Sequence, residues 1–338
     1  MLKSSSTSKK VQFWVGIAVS VVSLAALLLI IDPTAIAAAL RAADYRFAFL
    51  SVVGILIFLM LRAVRWRFML ENEIAWSRVF HIQNIGYMLT QLLPFRVGDV
   101  ARAVLIGNVP PITLPQGLSS MVVERVLDLL LIVTLLPLAL AQIGTVPAEI
   151  RSVAQIAGLA AVAATLVLII AANQRALALR LTAAVLARLT FLDSETWTRR
   201  AYQLLRGLSS LENLRSALVL ILFSVIVWLP IIFSYHLMLI AVQLQPTVAM
   251  SAFIVSVAGL SIAAPSSPGH IGVFHAAVTF ALVQILGQPE APSASFAFLH
   301  HAANVLSSVL LGLIGVNRIG ATVGRVIAST RALRQEVR

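Results

Sequence analysis

The 338-residue chain is 60% hydrophobic and 11% charged, with a mean hydropathy of +0.97, a balance that excludes an ordinary soluble globular domain. It contains no cysteine, which removes disulfides, thiolate nucleophiles and Cys-based metal sites together. The net charge of +12 points to anionic headgroups rather than to nucleic acid, because basic residues of a multi-spanning protein are expected at the cytoplasmic membrane face, and no hydrophilic block is long enough to fold alone. The chain therefore reads as all-α: a polytopic transmembrane helix bundle forming a single integral membrane domain over 1–338.

In chain order, the first apolar run covers 12–31 and follows Lys3, Lys9 and Lys10. It is longer than the apolar core of a secretory signal, so it is expected to stay as a span. A second run, 47–61, is followed by Arg62, Arg65, Arg67 and Arg78. Next comes a broken apolar region, 79–107, interrupted at Pro94 and Gly98. Runs at 118–140 and 153–172 follow it. In the segment 173–216, Leu177, Leu181, Val185 and Leu189 recur every fourth residue with Arg175, Arg180 and Arg188 between them. That pattern predicts a basic amphipathic arm, lying on anionic lipid or capping the bundle. After a run at 217–241, a second broken region, 248–286, is interrupted around Pro265, Pro268, Gly269 and Gly272. The last run is 296–316, and a basic tail closes the chain.

Arginines and lysines concentrate before the first run, after the second, in 173–216 and in the tail, which puts both termini on the cytoplasmic side of a bacterial-type inner membrane. About six full spans of roughly 20 residues satisfy that alternation. Each broken region must then return to the side it left, as two opposed re-entrant helical hairpins with inverted-repeat character. The alternative is that each hairpin crosses fully as two short spans.

The first break carries the candidate chemistry. Asp99 and Arg102 share a helix face beginning near Gly98, and Arg96 stands just before it. A helix start flanked by guanidiniums suits a lipid phosphate; the bland alternative is that Asp99 neutralises Arg96 or Arg102. Glu124 and Asp128, with Arg125 between them, lie one turn apart on another apolar run. Arg96 and Arg102 are their expected partners; a proton or metal site and an enzymatic acid–base pair are the other readings. The second break is uncharged but holds His270 and His275, with His300 and His301 on the last run. Single intramembrane histidines read as interhelical hydrogen bonders or as proton-coupling groups, and Asn84, Gln91 and Asn304 as interhelical glue. No metal site, cofactor site or catalytic motif is read from the residues.

The string Leu93–Arg102, then Glu124–Asp128, then Pro265 through Gly272-Val273-Phe274, in that order, resembles the flippase-like integral membrane family that includes the transmembrane domain of lysylphosphatidylglycerol synthases. The resemblance implies two opposed re-entrant elements and movement of a lipid between leaflets. It does not extend to synthesis of the modified lipid, since no aminoacyl-transferase domain is included. His275 stands where that family leads one to expect a Glu after Gly-Val-Phe. The resulting expectation is a lipid translocase for an anionic or aminoacylated phospholipid or a terpenoid lipid. Arg96, Asp99, Arg102, Glu124, Arg125, Asp128, His270 and His275 would bind the headgroup, His275 in the outer half. The alternatives are a membrane enzyme using a lipid or polyprenyl phosphate, and an accessory subunit beside lipid-biosynthesis enzymes.

Overall fold

A computed structural model describes residues 6–93, 97–144, 146, 148–174, 177, 180, 184, 213–263 and 267–320 of the chain. Among the described residues the ordered elements are helical, with no strand. The expected arm at 173–216 lies, apart from its ends and isolated positions, outside them, as do Pro94, Arg96 and Pro265.

Helix α1 (Ser6–Ile30) bends by 83° into α2 (Pro33–Arg41). Asp32 makes the corner: its carboxylate accepts from Thr34 N at 2.8 Å, and Pro33 opens the new helix where its missing N–H costs nothing. Helix α3 (Tyr45–Met69) starts on a second Asp cap, Asp44, which accepts from Arg46 N at 2.9 Å. Helices α4 (Trp76–Leu92) and α5 (Val97–Gly107) form the first broken region. Helix α6 (Leu114–Leu140) opens with a Thr113/Gln116 capping box, and α7 (Ala148–Asn173) follows it. Helix α8 (Leu214–Ala241) precedes the second broken region. That region comprises α9 (Val248–Ala263), a 3₁₀ turn (Pro268–His270), and α10 (Val273–Phe280) with a π turn at Ala281–Ile285. Helix α11 (Glu290–Arg318) ends the described fold.

By length and apolarity, five helices among the described residues are able to cross a membrane, or six if the bent α1/α2 pair counts as one span. The membership differs from the sequence expectation. Helix α6 is not among them, since Glu124, Arg125 and Asp128 interrupt its apolar run, whereas Pro268–Ile285 is. Helix α7 shows why apolarity and burial separate in such a protein. Val153, Ile156 and Leu159 are each about two-thirds exposed, a face suited to lipid tails.

The interior is built by α3 on α8 and α4 on α11, with α9 and α6 closing one side. In the first broken region α5 folds back against α4, and Gly98 is the closest point. A Cβ there would run into the Gly86 carbonyl and the Thr90 hydroxyl. In the second, Gly269 and Gly272 take φ of 69° and 87°, left-handed values that side chains resist. The two breaks meet. The Gly269 α-carbon faces the end of α4, where a Cβ would stand 3.3 Å from the Gln91 carbonyl oxygen.

Candidate functional site

Five helices bring their polar residues to one place. Helix α3 presents Arg62, Arg65 and Trp66 at the i, i+3, i+4 spacing of one face, and α6 answers with Glu124 and Asp128 one turn apart. Arg62 donates to Glu124 and, at 2.7 Å, to Asp128; Arg65 donates to the other Asp128 oxygen at 2.8 Å. From α5, Arg102 donates to Glu124 Oε2 at 2.8 Å. Tyr87 of α4 donates to Glu124 Oε1 at 3.4 Å, and from α8 Trp228 Nε1 donates to Asp128 at 3.4 Å.

Both carboxylates are thus occupied by guanidiniums, the first of the three readings of that pair. The partners are only partly those expected. Arg102 is one, but Arg62 and Arg65 replace Arg96, which is not described. Charges in an apolar interior are retained only where such pairing compensates their lost hydration. Aromatic faces add to it: the Arg102 guanidinium lies 4.2 Å from the Trp66 ring centroid and 5.1 Å from that of Tyr87.

Asp99 pairs neither with Arg102 nor with any other member of its own helix. It accepts from Arg125 of α6 at 2.7 Å. This pair is the more open one, with Arg125 37% exposed, whereas the Glu124 and Arg102 side chains are 2% and 1% exposed. Among the described residues the network holds four guanidiniums (Arg62, Arg65, Arg102, Arg125) and three carboxylates (Asp99, Glu124, Asp128), one positive charge in excess.

A cavity of about 330 Å³ adjoins the network. Arg62, Asp99, Arg125 and Asp128 line it together with the aromatic rings of Phe58, Tyr87, Trp228 and Tyr235. Thr90 and Gln91 from the end of α4, His270 from the second break, and Asn304 and Ser308 from α11 complete the polar lining. The cavity therefore has walls from both broken regions. Its volume falls at the lower end of small-ligand sites, roughly 300–1,000 Å³.

Arg102 and Glu124, expected to touch a headgroup, are behind this wall rather than on it, because each is committed to the buried network. Nor does His275 line this cavity. Its Nδ1 accepts from Gly272 N at 3.3 Å, the bond by which a residue at the third helical position caps its own helix start. Its ring packs against Phe298 and His301, with centroids 4.5 and 4.7 Å away. His301 donates to the Gly269 carbonyl at 2.7 Å, and His300 bonds Ser234 at 3.4 Å, both between elements. Asn84 instead donates to Phe80 of its own helix at 2.8 Å, and it is Gln83 that bridges helices, to the Leu59 carbonyl at 2.9 Å. Among the described residues no group of three or more His, Asp or Glu side chains is gathered for a metal.

Apolar helices, a buried ion network spanning them and a cavity at a helix break define a multi-pass α-helical membrane protein. The model of the lysylphosphatidylglycerol synthase TM region matches residues 13–312, and the chain belongs to that family. Among curated proteins it is similar to Glycosyltransferase AglD of Haloferax volcanii, 28% identical over 340 residues. That match covers 90% of this chain and 54% of the relative, so the chain spans about half the length of the curated protein it matches. No solved structure matches it.

Proposed function

We propose that the chain is a lipid translocase that moves a polar-headed lipid between leaflets through the cavity lined by both broken regions. The observation that carries this reading is that one cavity joins Asp99 and Gln91 of the first region to His270 of the second. Family membership supports action on a lipid. Opposed broken helices meeting near the middle of a membrane are the arrangement by which transporters alternate access.

In this reading the headgroup enters the cavity while the acyl tails stay in lipid. Arg62 and Arg125, with the positive charge in excess, attract the lipid phosphate; Asp99 and Asp128 orient those guanidiniums. Arg96, next to the start of α5, is a further phosphate contact. Arg102 and Glu124 position α5 and α6 rather than touching the lipid. The basic segments stand on the cytoplasmic side of an inner membrane with both termini, and the partners are membrane lipids and lipid-biosynthesis enzymes, not nucleic acid.

A second reading is a membrane domain serving a glycosyl transfer on a lipid phosphate, favoured by the similarity to the Haloferax protein. Purified protein in liposomes with acyl-labelled anionic lipids separates the two. Leaflet exchange with chemically unchanged lipid supports translocation. A covalently altered lipid on adding nucleotide-sugars, with exchange at the protein-free rate, overturns it.

A further inference from the structure

Resting on the translocase reading, we propose that the cavity selects a lipid whose headgroup beyond the phosphate is uncharged and rich in hydroxyls, and disfavours an aminoacylated one. An ammonium entering a water-poor cavity needs a carboxylate to replace its hydration. Each carboxylate of the network already accepts from guanidinium: Asp99 from Arg125, Asp128 from Arg62 and Arg65, Glu124 from Arg62 and Arg102. With one guanidinium in excess among the described residues, a cationic headgroup adds to an unbalanced positive charge. A headgroup whose only charge is one phosphodiester cancels it.

The second observation is what surrounds the place where the two breaks meet. Gln91 lines the cavity there, and its side-chain oxygen is buried without a hydrogen-bond partner. Such an acceptor is costly to leave unmet and calls for a donor from the occupant. Gly269 lies against Gln91, and its carbonyl receives His301 of α11. Asn304 and Ser308 follow His301 by one and two turns on the same helix and also line the cavity. Amides and hydroxyls that both give and take hydrogen bonds, beside aromatic walls, match a polyol or a sugar ring. An ammonium, which only donates, meets the acceptors of this lining but leaves its amide and hydroxyl donors without an acceptor.

The test is binding to purified full-length protein by native mass spectrometry, with four dioleoyl lipids that share one phosphodiester. These are phosphatidylmethanol with no hydroxyl, phosphatidylglycerol with a short polyol, phosphatidylinositol with a ring polyol, and lysylphosphatidylglycerol. At least one of the two hydroxyl-bearing lipids is expected to bind tenfold or more tightly than phosphatidylmethanol and lysylphosphatidylglycerol; which of them leads distinguishes chain from ring. Gln91→Leu should remove that advantage, its fold being read separately from monodisperse elution in detergent. Asn304→Leu repeats the test from the other wall should the first variant misfold. Lysylphosphatidylglycerol binding as tightly as the polyols, or a preference that survives both substitutions, overturns the inference. Retained preference without leaflet exchange overturns only the translocase reading, and exchange led by the lysylated lipid overturns only this one.

Discussion

Arg102 donates to Glu124 across 2.8 Å, and that bond ties α5, the second half of the first broken region, to α6. Neither side chain reaches water, and Glu124 also holds Arg62. Removing the carboxylate leaves two buried guanidiniums short of a partner, a change that costs about 3–5 kcal/mol in buried ion pairs. Glu124→Gln is therefore expected to lower the melting temperature of the detergent-purified protein sharply and to reduce its monodisperse yield. An unchanged melting temperature would show that the network is not buried as described.

The Asp99–Arg125 pair behaves differently because it is partly open to the cavity. Exposed pairs contribute about 0–1 kcal/mol. Arg125→Gln should leave melting almost unaltered yet slow leaflet exchange at least tenfold, and Asp99→Asn should do the same less severely. Measuring both quantities on one preparation separates this pair from Glu124.

Close approach of α5 to α4 at Gly98 makes a steric prediction. Gly98→Ala drives a methyl group into the Gly86 carbonyl and Thr90, and overpacking of that kind costs about 1–3 kcal/mol. Gly144→Ala, where nothing lies within 4 Å, serves as the control. Thermal melts should fall for the first and not for the second.

How much of this was legible in the residues varies by element. The breaks in 79–107 and 248–286 follow from helix-incompatible residues in apolar runs, and the helices stop there as that chemistry requires. The pairing of Glu124 with Arg102 was accessible from charge balance. Arg62 and Arg65 follow an apolar run and so read as part of a basic segment beyond it, yet α3 continues through them to Met69. The available signal was their i, i+3 spacing with Trp66 next in phase, which marks one face of a helix rather than a loop. The resemblance puts His275 in the outer half of the expected site. Only the backbone reveals that it sits at the third position of α10, where its ring nitrogen caps Gly272.

That capping role has a consequence of its own. Gln serves as well as Glu at the third position of a capping box. His275→Gln should therefore melt close to the unmodified protein, and His275→Leu should lose about 0.5–2 kcal/mol, the usual value of an N-cap bond. Neither substitution should shift lipid preference, since the side chain lies off the cavity. A change in selectivity with His275→Gln would return this residue to the site.

On this reading a lipid headgroup crosses through the cavity between the two breaks. It is tested by dithionite quenching of acyl-labelled phosphatidylglycerol in proteoliposomes, comparing the unmodified protein with Asn304→Trp, which fills the cavity, and Leu159→Trp on the exposed apolar side of α7. Exchange is expected well above the protein-free rate for the unmodified chain and for Leu159→Trp, and at the protein-free rate for Asn304→Trp. Exchange by folded Asn304→Trp at the unmodified rate would show that the headgroup does not pass through this cavity.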